Sequence, residues 1–190
     1  MNFLKRTWAE ISLDAIAHNF NEIKNKVNGN SKICCVIKAD GYGHGAAELA
    51  NIYDELGADF FAVSNIDEGI EIRNSGCKLP IVILGYTPVA DAKRLSDYDI
   101  SQAVFSLEYA KSLSDECVKQ NCTCKIHIKV DTGMSRIGFM CQQFPRDDYS
   151  IKEILEVCNL PNLSLEGLFT HFCVSDEAEE GREFTQRQYQ

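Results

Sequence analysis

The chain has 190 residues, with 45% hydrophobic and 25% charged residues and a formal net charge of −9. This acidic balance, with scattered lysines and arginines, argues against a general nucleic-acid binder, and no apolar run is long enough to span a bilayer. The nine cysteines follow no secretory signal, which indicates a reducing, cytoplasmic compartment. Cys122 and Cys124 form a C-x-C pair, but no second pair lies at zinc spacing, so no metal site is predicted.

The apolar periodicity predicts helices that alternate with short strands. Ser12 stands before a helix whose apolar residues recur at steps of three and four from Leu13 to Val27, and the run Ile33–Ile37 is predicted as a buried strand. Further helices are predicted at Ala46–Leu56, Asp67–Asn74, Val89–Leu95, Leu107–Lys119 and Ile151–Cys158, and after Asp176. Further strands are predicted at Phe60–Val63, Ile81–Leu84, Ala103–Phe105, Lys125–Val130 and Leu163–Phe169.

This alternation predicts an α/β fold built from βαβ units with a parallel sheet. No Gly-x-Gly-x-x-Gly motif follows a strand, so the sequence gives little support to a dinucleotide-binding fold. The repeat fits a partial (β/α)8 TIM barrel with about six of the eight units. Thr7–Ile11 is predicted as a strand outside the barrel. The expected division is therefore an N-terminal strand segment (1–11) and an incomplete barrel (12–190).

The carboxyl ends of barrel strands carry the candidate site, because side chains there face the active site in this fold. The residues at these ends are Lys38, Leu84, Lys129, Asp131, Arg136, Thr170 and His171. A lysine amine beside a buried strand needs a cavity or a covalent partner, since an unpaired buried charge is costly. Lys38 is therefore a candidate for Schiff-base formation.

Four stretches resemble the bacterial alanine racemase family, in the same order and spacing. They are RTWAEISLDAIAHN (Arg6–Asn19), VIKADGYGHG (Val36–Gly45), IKVDTGMSRIGF (Ile128–Phe139) and EGLFTHF (Glu166–Phe172). The resemblance implies a homodimeric isomerase that binds pyridoxal 5'-phosphate in its barrel. It would interconvert L- and D-alanine through an aldimine and abstraction of the α-proton, in D-alanine biosynthesis for peptidoglycan precursors.

The resemblance also implies roles for individual residues. Lys38 would bind the cofactor covalently and act as a general base, Tyr42 would bind its phosphate, and Val36 and Leu84 would line its pocket. The alternative for Tyr42 is a structural role, as a side chain that packs against its neighbours and does not bind phosphate.

Three residues from later in the chain complete the implied set. Arg136 would contact the phenolic oxygen of the cofactor and the substrate carboxylate. Lys129 matches a lysine that is carbamylated in many members, and His171 matches a histidine that supports an arginine facing the pyridine nitrogen. The alternative to these functional roles is a purely structural one. Lys129 would then be an outward-facing strand residue, and His171 would be a core histidine.

The family's chains are about twice as long, with a complete barrel, a β-rich C-terminal domain and a second catalytic base from the partner subunit. This chain is therefore expected to be the N-terminal portion of a racemase, inactive and aggregation-prone alone. One alternative is a single-domain pyridoxal-phosphate-binding homeostasis protein. Others are a serine or broad-specificity racemase or a decarboxylase on the same fold, and, more remotely, a non-enzymatic interaction protein.

Overall fold

The computed structural model describes residues 7–27, 29, 31–142 and 148–190. The chain divides into two compact units, unit 1 (residues 1–82) and unit 2 (residues 83–190). Residues 7–11 form no strand, so this part of the predicted N-terminal strand is wrong, and residues 1–6 lie outside the described residues. Within the described ranges, no helix has both the length and the apolar character that crossing a bilayer requires.

Unit 1 is built around a parallel pair of strands. Its elements are α1 (Leu13–Val27), β1 (Cys34–Val36), α2 (Lys38–Gly43), α3 (Ala46–Leu56), β2 (Phe60–Val63) and α4 (Ile66–Asn74), with β3 (Ile81–Ile83) at its boundary. The first helix begins as predicted, because Ser12 Oγ accepts the backbone N–H of Ala15 at 3.3 Å. β1 and β2 pair in parallel with Cys35 opposite Phe61, and both side chains are buried.

Unit 2 is centred on the longest strand. Its elements are a 3₁₀ turn (Val89–Asp91), α5 (Ala92–Asp97), β4 (Ile100–Val104), α6 (Leu107–Lys119), β5 (Cys124–Asp131), β6 (Phe139–Met140), α7 (Asp148–Val157), β7 (Leu163–Phe169) and α8 (Ala178–Tyr189). β5 pairs in parallel with both β4 and β7, and its last two residues pair with β6. Parallel strands joined through helices are the βαβ units that the sequence predicts.

The predicted elements differ from the structure in several places. β4 begins at Ile100, three residues before the predicted start, because Ser101 and Gln102 are buried with hydrogen-bonded side chains. The predicted helix at Val89–Leu95 begins as a 3₁₀ turn, and the short β6 was not predicted. Every residue of β4 is buried, as in a parallel strand that is covered on both faces, whereas Leu165 and Leu168 of β7 are exposed.

Candidate active site

Lys38 follows the carboxyl end of β1, as the sequence predicts, and is not itself part of the strand. The strand ends at Val36, and Lys38 is half-buried at the start of α2. Most of α2 is a left-handed turn, because the four residues 39–42 have φ between 50° and 60°. A left-handed conformation costs about 1–2 kcal/mol for each residue other than glycine, so the surrounding structure must hold it. Strain of this kind is typical of ligand-binding loops.

Glu68 is one group that holds the left-handed turn. Its Oε1 accepts the backbone N–H of Ala39 at 2.9 Å, and its Oε2 accepts both the N–H and the hydroxyl of Ser64 at 2.7 and 2.8 Å. Burial alone would raise the pKa of Glu68, but the hydrogen bonds from Ser64 and Ala39 lower it overall. The carboxylate therefore ties the residue after Lys38 to the end of β2.

Asp40 holds the other side of the turn. Its Oδ1 accepts the backbone N–H of Ala46 at 2.8 Å, the first residue of α3, and its carbonyl accepts the N–H of Gly45 at 2.9 Å. Gly41 at the centre is buried, and a Cβ there would lie 2.5 Å from the Leu49 side chain. The sequence ADGYG thus gives a turn that is anchored at the N-terminus of α3 and presents Lys38.

The remaining unit 1 residues of the predicted site lie close to Lys38 in the chain. Val36 ends β1 and is 41% exposed, and Tyr42 lies in the left-handed turn with 59% of its surface exposed. This exposure contradicts the alternative that Tyr42 is only a packing residue. Its carbonyl contacts His44 Nδ1 at 3.2 Å, so His44 stabilises the turn.

In unit 2, one face of β5 carries an unusual row of ionisable groups. Lys125, His127, Lys129 and Asp131 alternate with the buried apolar residues between them, as the period of a strand requires. Lys125 is paired with Asp99 and Glu166 at 2.6 and 3.4 Å. This row leads along the strand to the end that the sequence marks as the candidate site.

Lys129 is the most unusual member of the row. Only 3% of its surface is exposed, and its Nζ has no hydrogen-bond partner among the described residues. Burial lowers the pKa of the Lys129 amine, the positive charge of Arg136 lowers it further, and Asp131 acts in the opposite direction. The outward-facing alternative for Lys129 is wrong, because a solvated strand lysine would be exposed.

Asp131 organises the loop that carries Arg136. Its carboxylate accepts the backbone N–H groups of Gly133, Ser135 and Arg136, each at 3.0 Å, and the side-chain amide of Gln142 at 3.1 Å. Burial would raise the pKa of Asp131, but these hydrogen bonds lower it overall. The exposed Arg136 side chain thus projects from a loop that is fixed at its backbone, and it is near enough to influence Lys129.

A β-bulge explains the Glu-Gly pair in the EGLFTHF stretch. The pairing of β5 with β7 moves from Ile126–Leu165 to His127–Gly167, so Glu166 is the extra residue. Its carboxylate accepts the hydroxyl of Ser101 at 2.7 Å. A Cβ on Gly167 would lie 2.8 Å from Nδ1 of His127, so glycine leaves room for the imidazole ring.

Gln188 of α8 joins the two loops beyond β5 and β7. Its Nε2 donates to Thr132 Oγ1 at 3.1 Å and to the carbonyl of His171 at 3.3 Å, and its Oε1 accepts the N–H of Cys173 at 2.9 Å. Thr132 also contacts Thr170 through their hydroxyl groups at 2.8 Å. His171 is exposed after β7, so the core-histidine alternative is wrong.

The structure thus brings Lys129 and Arg136 together in unit 2, with Thr170 and His171 following β7 and Leu84 directly following β3. Sequence reasoning gave no role to Glu68, Phe169 or Gln188. No local pattern marks Phe169 or Gln188, because each contacts a segment far away in the chain. Glu68 does carry a local signal, since it lies three residues after Asn65, the N-cap of α4, at the spacing of a capping box. Asp131 does carry a local signal, since Asp before Thr-Gly is typical of a turn closed by the aspartate side chain.

A family model described as "Alanine racemase, N-terminal domain" matches residues 11–190. The chain belongs to the alanine racemase N-terminal domain family. The α/β fold predicted as a partial TIM barrel is confirmed by this family and by the structural similarity that follows.

Three alanine racemases illustrate the similarity. Those of Clostridium perfringens (strain SM101) and Caldanaerobacter subterraneus ("Alanine racemase 1") are 47% and 43% identical over 92% and 98% of this chain. The solved "alanine racemase [Clostridium difficile 630] complex with cycloserine" is 41% identical over 99% of this chain, with a TM-score of 0.89. The chain spans 44%, 46% and 50% of these three proteins, which is about half of each.

Proposed function

We propose that this chain supplies the lysine-bearing half of a pyridoxal-phosphate-dependent alanine racemase. The observation that carries the proposal is the position of Lys38, two residues after the end of β1 and at the start of a left-handed turn that Glu68 and Asp40 hold. Family membership and identities above 40% to alanine racemases support alanine as the substrate. The proposal includes the cytoplasmic homodimer that the resemblance implies.

The donor chemistry of the chain fits pyridoxal phosphate. Lys38 offers a primary amine for the cofactor's aldehyde, Tyr42 an exposed phenol for its phosphate, and Arg136 a planar guanidinium for an anionic oxygen. Val36 and Leu84 offer apolar side chains for the cofactor's ring. When bound, the cofactor withdraws electrons from the substrate's α-carbon and so makes the α-proton acidic.

In this proposal the chain's own residues position the substrate and move one proton. The Nζ of Lys38 accepts the α-proton from one face of the substrate and returns it, as a general base and acid. The Arg136 guanidinium holds the substrate carboxylate through paired N–H donors. His171 remains proposed as the support for an arginine, as in the resemblance.

Lys129 is proposed to become a carbamate. A lone pair of its neutral Nζ attacks the carbon of CO2, the N–C bond forms, and one proton leaves nitrogen for solvent. Burial and the nearby Arg136 both favour the neutral amine that this reaction needs. The product is an anion, which would replace like-charge repulsion with an ion pair to Arg136. Its oxygens would also accept hydrogen bonds at a position where Nζ has no hydrogen-bond partner among the described residues.

Deuterium exchange tests the proton transfer separately from racemisation. The full chain is saturated with pyridoxal phosphate in D2O with either enantiomer of alanine, and NMR follows the α-proton. One-sided chemistry by Lys38 predicts exchange in one enantiomer above the rate with free cofactor, and its loss in Lys38→Ala. Lys32→Ala, an exposed lysine before β1, is the matched control. Cofactor binding without Lys38-dependent exchange would contradict the proposal and favour a binding protein.

A further inference from the structure

Three buried cysteines meet where α6 leads into β5. Cys117 lies in the last turns of α6, Cys122 in the connecting loop, and Cys124 is the first residue of β5. Their Sγ atoms all lie within 4.8 Å of one another. The three side chains are 0%, 7% and 0% exposed, so the thiols share one protected space within unit 2.

The backbone around the three thiols is tightly held. The N–H of Cys122 donates to the carbonyl of Cys117 at 3.0 Å, and the N–H of Cys124 donates to the carbonyl of Asn162 at 3.0 Å. The side-chain amide of Asn162 returns a hydrogen bond to the carbonyl of Cys122 at 2.7 Å. Cys124 Sγ also lies 3.4 Å from the carbonyl of Ala92. The cluster is therefore a built feature of the fold.

The three thiols differ in acidity, because the contact with Cys117 raises the pKa of Cys124 and burial raises that of Cys122. Hydrogen bonds from the thiols of Cys124 and Cys122 lower the pKa of Cys117 to about 7, against the effect of burial. Lys93 favours ionisation of Cys122, whereas Asp97 opposes it, and Glu116 opposes ionisation of Cys117.

The adjacent Cys34 and Cys35 in β1 behave differently. Burial raises their pKa values to about 12 and about 11. Neighbours in a strand also point to opposite faces, so these two thiols cannot converge on one ion. The three-cysteine cluster is thus better suited to bind a metal than the other cysteine-rich stretch of the sequence.

The geometry of the cluster suits a metal ion with three sulfur ligands. A metal–sulfur bond of about 2.3 Å places trigonal sulfur atoms about 4 Å apart, which is compatible with Sγ atoms that all lie within 4.8 Å of one another. All-sulfur donors select soft ions such as Cu(I) and Zn(II), but structural zinc sites need four protein ligands, and the described residues bring three. Cu(I) therefore fits the donor set best.

We propose that Cys117, Cys122 and Cys124 form a binding site for one Cu(I) ion. As each sulfur bonds the ion, its thiol proton leaves for solvent, and the product is a trigonal tris-thiolate complex. The site differs from the proposed active site, because Cys124 and Lys129 are five residues apart on β5, about 17 Å along an extended strand. Bound metal would join the end of α6 to the start of β5.

Anaerobic loading with Cu(I) tests the site in the wild-type chain. X-ray absorption should show one Cu(I) per chain with three sulfur neighbours, and the ion should resist a chromophoric Cu(I) chelator. Cys122→Ser removes the least buried ligand and should weaken Cu(I) binding by more than about 100-fold. Cys35→Ser, at a buried cysteine of unit 1, should leave binding unchanged. Fewer than three sulfur ligands in the wild type, or equal binding by the two folded variants, would overturn the proposal.

Discussion

The Nζ of Lys129 lies 5.1 Å from the centroid of the Phe169 ring, on the strand that pairs with its own. Nζ makes no hydrogen bond to any described residue, so the ring face and the negative charge of Asp131 are what favour the protonated amine. A buried cation with so little compensation destabilises the fold, which is typical of a functional position.

Replacing Lys129 with methionine should therefore stabilise the chain in CO2-free buffer. Removal of an unsatisfied buried amine should raise the free energy of unfolding by about 1–3 kcal/mol at pH 7, measured by urea denaturation. Lys125→Met is the matched control, and it should not stabilise, because Lys125 has two carboxylate partners. Added bicarbonate should stabilise the wild type but not Lys129→Met.

The gain from Lys129→Met should also depend on pH. The folded-state pKa of Lys129 lies below its ordinary value of 10.5. The unfolded chain therefore binds the extra proton between these two values, and wild-type stability rises with pH there. The difference between wild type and Lys129→Met should shrink as the pH approaches 10.5. A difference that stays constant over this range would show that Lys129 is charged equally in both states.

Glu68→Gln should weaken the left-handed turn after Lys38. A neutral amide cannot replace a carboxylate that accepts hydrogen bonds from Ala39 and Ser64, so the unfolding free energy should fall by about 1–3 kcal/mol at pH 7. Because the folded-state pKa of Glu68 is lowered, this stabilisation is present above its ordinary value of 4.5 and lost as the pH falls through the folded value. Glu71→Gln, an exposed residue on the same helix, should have little effect at either pH.

Gly167→Ala should destabilise unit 2 through one contact. The new methyl group would lie 2.8 Å from the His127 ring, and such overpacking costs about 1–3 kcal/mol. In a His127→Ala background the same change should cost much less, because the clashing ring is gone. A double-mutant cycle by chemical denaturation measures this coupling, and additive effects would refute the close approach.

Gln188→Glu should loosen the loops beyond β5 and β7. The substitution removes the Nε2 donor to Thr132 and His171 and buries a charge, which predicts a loss of at least about 1–3 kcal/mol. Hydrogen exchange at the amide of Cys173 should become faster. Gln186→Glu, an exposed neighbour in α8, should leave that amide unchanged.

The sequence predicts elements best where local signals agree. The bounds of α3 and α6 match the structure because Gly57 ends the first in a left-handed conformation and Ser106 caps the second. The start of β4 was not predictable in the same way. Ser101 is polar, and its burial depends on a hydrogen bond to Glu166, which lies far away in the chain. These contacts join segments that no short window of sequence contains.

The candidate site shows the same division. Lys38 was found from its place after an apolar strand and from the family resemblance, but the left-handed turn that carries it was not expected. The grouping of Cys117 with Cys122 and Cys124 was also not predicted, because a C-x4-C-x-C spacing matches no standard metal motif and its convergence depends on the turn between α6 and β5.

The central claim is that Lys38 is the residue that binds pyridoxal phosphate, and reductive labelling tests it most directly. The full chain is incubated with the cofactor, treated with sodium borohydride to make the adduct permanent, and mapped by peptide mass spectrometry. The account predicts a pyridoxyl phosphate group on Lys38, its loss in Lys38→Ala and its retention in Lys32→Ala. Equal labelling of Lys38→Ala, or label spread over other lysines with Lys38 unmodified, would contradict the account.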